Sequence, residues 1–504
     1  MSSIGSAGSR PSSSSQSRTV EPKVAQKAPA EARPAPSGNA VKDAVAGRFR
    51  DGFDAAPRGA APQRKPVLSE VGGFIESAGQ RPEALASSTL PPTTRAAAPT
   101  VSTDAAGRTV VDLSSGNDTA TVSQTADGGL QVRSGGNTVT LTAEQARTAI
   151  IRGGDGNDTI TVDASVTQDV RIEGGAGDDT LVGGAGNDRL DGGAGSDIIR
   201  GGAGNDALRG ADGDDYLDGG AGDDRMYGGA GRDVMYGLDG EDRMSGGAGR
   251  DYLDGGAGND FVSGGDGDDQ VLGGRGDDAL VGGRGNDAVA GGLGQDTVRG
   301  GAGDDKLYVQ DDDDVRNLEA GDTRQVVDMS GADTLGSSVS VTGSADFTAR
   351  TQSDLDALRS LPEGQALLAR LDGSGRSTTI RETNRGNTAG ATNFNDGYMS
   401  ADGTPGPGTD SQVNYNPSRI SIGGEEWMNR PPVVGLFHEL IHASDFVTGT
   451  LPPGSTDGVI NVEQSTVGLP YDHDGDPSTP RIEADRSTEN DLRDELNLPT
   501  RPRY

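Results

Sequence analysis

From residue 107 onward the chain alternates apolar and polar positions in short runs: TVVDL, ATVSQ, LQVRS, TVTLT, AIIRG, DTITVD and DVRIEGG. Gly, Asn and Asp separate them, a pattern that predicts closely spaced strands joined by tight turns. At Gly174 the alternation locks into a nine-residue period, which continues for fifteen units to Tyr308, and an isolated earlier copy, GGDGNDTIT, begins at Gly153. The eighth position of every unit is apolar (Leu181, Leu190, Ile199, Leu208 and onward to Leu307), so each turn of a coiled chain would bury one side chain. After Val309 the period is lost. SDLDALRSL and PEGQALLARLDG predict helices, the first capped by Ser353 and the second opened by Pro362. TTIRET and SQVNYN predict strands around the loop GTPGPGTDS, and PPVVGLFHELIHASDFVTG predicts a helix opened by Pro431 or Pro432 and stopped near Gly449.

The repeat carries chemistry as well as a fold. Its glycines permit the positive-φ turns of a tightly wound chain, and its sixth position is always Asp. Carboxylates and turn carbonyls are the hard oxygen ligands that calcium takes. The candidate ligands are Asp158 in the isolated copy, then Asp179, Asp188, Asp197, Asp206, Asp215, Asp224, Asp233, Asp242, Asp251, Asp260, Asp269, Asp278, Asp287, Asp296 and Asp305. The fifteen units contain 28 acidic and 11 basic residues, a net charge of −17 that is half of the chain's −34. Stacked aspartates need a counter-ion, and a flexible Gly/Asp spacer would not keep an apolar residue at one phase. The pattern GGxGxDxUx resembles the RTX (repeats-in-toxin) family, which implies a parallel β-roll holding several structural Ca2+ ions.

Residues 1–105 read differently. They contain twelve of the chain's 25 prolines and no Tyr or Trp, too little apolar surface to offset ordering entropy. This region is expected to be a disordered export or linker segment, with a transient helix at 65–78. Its Ser-rich start resembles a type III export signal. The expected organisation is 1–105 disordered, 106–173 a β-strand cap, 174–310 the β-roll, 311–350 a linker and 351–504 an α+β domain.

Composition narrows the functions further. A charge of −34 repels nucleic acids and anionic membranes. The absence of Cys excludes disulfides, Cys-ligated zinc and thiol catalysis. No apolar run reaches the roughly 20 residues of a membrane span, and the N-terminus lacks the apolar segment of a Sec signal.

Of three histidines in the chain, His438 and His442 stand four apart in FHELIH, with Glu439 beside the first. Residues i and i+4 share a helix face, so both imidazoles can reach one zinc ion while Glu439 acts as general base. Asp445, Glu463 and His473 are the candidates for the third ligand. Asp445 follows one turn after His442, but HASDFVT lacks the Gly and third His of the metzincin motif. His473 lies in the polar turn YDHDGDPSTP. Glu463 is preferred, because its 21-residue interval suits a helix, a return loop and a second helix, as in gluzincins. The ending Arg501-Pro-Arg-Tyr504 resembles the Arg-x-x-Tyr pair that clostridial neurotoxin proteases place beside zinc. Arg501 and Tyr504 are therefore candidate oxyanion donors.

LRSLPEGQALLARLD, FHELIHASD, VEQSTVGL and STENDLRDELNLPTRPRY together resemble the NleD-like effector metallopeptidases over roughly residues 350–504. That resemblance implies a zinc-dependent endopeptidase that inactivates host signalling proteins, with His438, His442 and Glu463 as ligands and Glu439 as base. The expected protein is a secreted, extracellular or host-delivered effector or toxin, exported by type III or type I machinery. SQVNYN is expected to offer an edge strand to an extended protein substrate. The alternative is a non-catalytic calcium-binding surface or matrix protein.

Overall fold

The computed structural model describes residues 98–397, 399, 404–418, 430–451, 455–456, 459–460, 467 and 487–502. The disorder expected over 1–97 and the helix at 65–78 lie outside these residues. Two folded parts follow: a parallel β-solenoid from 151 to 326, and a C-terminal mixed α/β domain.

In the solenoid, successive nine-residue units alternate between two sheets, so strands pair in parallel with the strand eighteen residues away. Arg189–Ala194 pairs with Ala207–Asp212 with Leu190 opposite Leu208, and Ile198–Ala203 pairs with Tyr216–Ala221 with Ile199 opposite Leu217. One sheet has twelve strands and the other thirteen. The eighth-position side chains meet between the sheets, and from Leu181 to Leu307 all are almost fully buried. Glycine occupies the fourth position of all fifteen units, where the turn leaves no room for a Cβ. At Gly195 φ is +131°, and a Cβ there would stand 2.2 Å from the carbonyl oxygen of Gly177 in the turn below.

Both ends differ from the expected boundaries. Thr100–Thr103, inside the stretch expected to be disordered, pairs antiparallel with Thr109–Ser114. The strands Thr119–Gln124, Leu130–Ser134 and Asn137–Leu141 form an antiparallel meander on the end of the other sheet. At the far end Asp314–Val315 and Thr323–Val326 carry both sheets past 310, into the segment expected as linker.

The C-terminal domain contains the helices α1 (Ala345–Arg359), α2 (Pro362–Gly373), α3 (Pro432–Thr448) and α4 (Glu489–Glu495). The cap of α1 is Ser344, whose hydroxyl accepts from the Phe347 N–H. Ser353 is buried inside the helix and is not its cap. A four-stranded sheet runs in the order Val339–Thr342, Thr378–Glu382, Ser411–Tyr415, Thr388–Ala391, the last strand antiparallel. Ser411–Tyr415 therefore has a strand on each side and is not the free edge expected of SQVNYN; among the described residues Val339–Thr342 and Thr388–Ala391 are the two edges.

Helix α3 packs on Ser411–Tyr415 and Thr388–Ala391 and touches α1, α2 and α4. Enclosed on all sides, it buries every residue from Pro432 to Val447, including the polar His438, Glu439, His442, Ser444 and Asp445. Helix α1 lies across the outer face of the thirteen-stranded sheet. There Tyr216, Tyr236, Tyr252, Leu272, Ala290 and Tyr308 of the roll share one apolar cluster with Phe347, Leu355, Leu358, Tyr415 and Phe437 of the C-terminal domain.

Candidate metal centre

Helix α3 projects both motif histidines to one side. Their rings stand edge to face, with centroids 4.8 Å apart and planes at 87°, and their Nε2 atoms are 3.2 Å apart. Two imidazole nitrogens bound tetrahedrally to one zinc at about 2.0–2.1 Å lie roughly 3.3 Å from each other. The pair is already set at the separation a shared ion requires. Glu439 sits between them in sequence, one turn before His442, and is buried.

The orientation of His438 is set from another element. Its Nδ1 is 2.7 Å from Oε2 of Glu489, a fully buried residue in the first turn of α4. An Nδ1–H donated to a carboxylate leaves the Nε2 lone pair available, the ligand form of neutral imidazole. Thr488 positions Glu489 by capping α4 through a capping box with Asp491. Burial alone would raise the Glu489 carboxyl. The hydrogen bond from His438, with the charges of Arg493 and Arg430, instead holds it well below the usual carboxylate range. Arg493 Nε donates to Oε1 at 2.7 Å, and Oε2 has Arg501 Nη1 at 3.4 Å and Arg430 Nη1 at 3.7 Å. A buried carboxylate surrounded by three guanidiniums stays ionised, as a permanent acceptor for His438.

Of the other predicted residues, Asp445 is buried on α3, where its Oδ1 accepts from the Thr450 hydroxyl at 3.0 Å and lies 3.7 Å from Arg370. Arg501 is buried, and its backbone N–H donates to Asn490 Oδ1 at 2.6 Å while the Asn490 amide donates to its carbonyl at 3.1 Å. The chain end is thereby fastened to α4 as far as Arg501. Glu463, His473 and Tyr504 lie outside the described residues, among which no three His, Cys, Asp or Glu side chains converge on one point. Glu489 went unnoticed in the sequence. Its only signals were the capping pattern at Thr488 and its place in STENDLRDELNL.

Next to this centre a cavity of about 800 Å3 opens between Asp214, Arg232, Arg250 and Asp268 of the roll and Arg430 and Leu498 of the C-terminal domain.

The roll presents a second kind of metal chemistry. Except Asp188, whose Oδ1 takes the Val170 N–H at 2.8 Å, each ladder aspartate accepts, through Oδ1, the backbone N–H of the aspartate one turn earlier; Asp179 donates to Asp197 at 2.8 Å and Asp197 to Asp215 at 2.8 Å. Except at Asp188, where Oδ2 takes the Gly184 N–H at 2.6 Å, the buried Oδ2 atoms of the ladder have no hydrogen-bond partner. Burial pushes these carboxyls upward, to about 8 at Asp197 and Asp224 and about 9 at Asp269 and Asp278. Rows of orphaned carboxylate oxygens beside turn carbonyls fit a hard cation such as calcium.

The comparisons with known proteins agree with both halves. Residues 336–504 match the M91 peptidase family, described as an effector protein. The RTX calcium-binding nonapeptide repeat matches over 150–165 and, in overlapping copies, over 173–322. No curated protein matches the chain. The molecule thus joins an M91 effector-peptidase domain, whose family is one of metallopeptidases, to a calcium-binding RTX solenoid. Effector and RTX families are typically secreted. No helix among the described residues is long and apolar enough to cross a membrane.

Proposed function

We propose that the protein is a secreted zinc-dependent endopeptidase that acts as a bacterial effector or toxin on host proteins. The observation that carries this reading is the convergence of His438 and His442 Nε2 at 3.2 Å, with His438 oriented by a buried, ionised Glu489. Glu463 completes the ligand set as the third protein donor. A zinc ion held there supplies Lewis acidity, polarising the scissile carbonyl and acidifying the attacking water.

The remaining steps belong to the chain's own side chains. Glu439 accepts the proton of the attacking water and returns it to the leaving amine. Glu489 keeps the His438 ring in one tautomer, and Arg430 and Arg493 keep Glu489 charged. Arg501, with Tyr504 near it in sequence, donates to the developing oxyanion. An extended substrate pairs with the exposed edge at Thr388–Ala391 and is not joined to Ser411–Tyr415. The roll binds several calcium ions through its aspartate ladders and folds once the chain has been exported.

The test is Glu439→Gln in the full chain. It removes the base and no ligand, so bound zinc should stay stoichiometric while peptide hydrolysis falls at least a thousandfold. His438→Ala and Glu463→Ala should lose zinc as well. Full zinc content in Glu463→Ala, with zinc lost in His473→Ala or Asp445→Ala, would transfer the third-ligand role. A wild-type chain that binds zinc yet cleaves nothing in a host-cell lysate would favour the non-catalytic surface protein.

A further inference from the structure

We propose that the roll is a positioning element of the peptidase: its last turns hold α4, and through Glu489 and His438 they couple calcium binding to zinc affinity and turnover. The inference rests on the zinc reading of His438 and His442, and adds to it a regulatory input from the other half of the chain.

Hydrogen bonds and an ion pair fasten α4 and its exit to the roll. The Tyr308 hydroxyl donates to the Glu495 carbonyl at 3.1 Å, Lys306 Nζ lies 3.3 Å from Asp494 Oδ2, and the Asn497 amide donates to the Asn286 carbonyl at 3.2 Å. Glu489 is at the start of this same short helix, so movement of its last turn moves the carboxylate that orients His438. Helix α1 is tied down by buried polar contacts in addition to its apolar face. Asp354 accepts from Tyr236 of the roll at 2.8 Å and from Tyr415 of the catalytic sheet at 2.7 Å. Arg350 donates to the Tyr216 hydroxyl at 3.1 Å and lies 3.4 Å from Asp218. A loose tether between independent domains would not bury an acid between tyrosines from both.

Leu238 points the same way. It occupies a glycine position of the repeat and adopts φ +76°, a conformation that is costly for Leu. Its side chain joins the cluster shared by the roll and the C-terminal domain. The orphaned Oδ2 atoms make this platform dependent on a cation. When the roll loses calcium, the tyrosine face disperses and α4 loses its anchors.

The experiment uses the full chain in buffered zinc, dialysed free of calcium and then titrated with calcium or magnesium. Hydrogen exchange over 345–359 and 489–498, and zinc affinity by competition with a chromophoric chelator, are read alongside circular dichroism of the roll. Calcium should raise protection in both helices and tighten zinc at least tenfold over the same concentration range as roll folding, and magnesium should not. Lys306→Ala should lower kcat several-fold with KM unchanged, and Lys306→Arg should restore it. If the roll folds with calcium while protection of α4 and zinc affinity stay constant, the coupling is wrong. If calcium protects α4 but zinc binds nowhere near His438 and His442, the scaffold stands and the zinc reading falls.

Discussion

Buried carboxylates are treated in opposite ways in the two halves of this molecule. In the roll, aspartates stack in rows with only backbone N–H donors, and burial drives their carboxyls upward. In the peptidase domain Glu489 is just as buried, but His438 and three arginines surround it and its carboxyl is driven downward. The first arrangement is electrostatically incomplete until a cation arrives. The second is complete within the chain. A ladder of unpaired acids makes folding conditional on a ligand, whereas a neutralised acid provides a frame that exists before the metal does.

The largest expected effect follows from that contrast. Removing calcium should unfold the roll as a unit, whereas removing zinc from the calcium-loaded protein should leave the fold of the peptidase domain intact. The pH dependence has a definite sign. An unfolded aspartate titrates near the usual 3.8, and the calcium-free folded ladder reaches about 8 or 9. Between these limits the folded chain binds more protons than the unfolded one, so its stability falls as pH rises. The calcium-free roll should therefore be more folded at pH 5 than at pH 8. Calcium should restore it at pH 8 with release of protons. Far-UV circular dichroism at the two pH values checks this; a calcium-free roll more stable at pH 8 than at pH 5 would break the comparison.

A smaller effect is expected inside the peptidase. Glu489→Gln keeps the shape of the side chain but removes the charge that accepts from His438 and balances Arg430, Arg493 and Arg501. Outer partners of metal-bound histidines typically contribute 10–100-fold in metal affinity, and zinc titration should show a loss of that size. The substitution also leaves three guanidiniums around a neutral amide, so thermal stability should fall as well. Unchanged zinc affinity would mean that α3 alone orients His438.

The two halves also differed in what could be read from the sequence. Fifteen repeats state the same instruction, so the inward phase of Leu181 through Leu307 and the rows of Asp were visible without coordinates. Helix α3 was legible too, between Pro432 and the left-handed stop at Gly449. Elements held by unpatterned contacts were not. Thr100–Thr103 is exposed along its whole length and is held by backbone pairing, which leaves no apolar signature. The Ser344 start of α1 was obscured by Ser353, a plausible cap seen without its neighbours. Glu489 lies 51 residues from the histidine it orients, and its arginine partners are scattered from 430 to 501. One sequence carries no sign that those positions meet. Nor does periodicity disclose that the outer face of one sheet, with Tyr216, Tyr236 and Tyr252, is a docking surface.

The smallest expected effect concerns Arg501, where two roles make different predictions. Arg501 is the most weakly placed of the hydrogen-bonding cations on Glu489, at 3.4 Å against 2.7 Å for Arg493. If it only balances the Glu489 charge, Arg501→Gln should weaken zinc binding modestly, because Arg430 and Arg493 remain, and kcat at saturating zinc should be unchanged. If its guanidinium also donates to the oxyanion, kcat should fall at least tenfold at full zinc occupancy, and up to about a hundred- to a thousandfold if it is as well aligned as donors that contribute about 3–4 kcal/mol. Tyr504→Phe separates the remaining possibility, because it removes one phenolic hydroxyl and no charge. A drop of at least tenfold in kcat in both variants, with zinc content and melting temperature constant, is the expected result. Loss confined to zinc affinity in Arg501→Gln, with Tyr504→Phe fully active, would make Arg501 solely a counter-charge for Glu489 and remove the chain end from the chemistry.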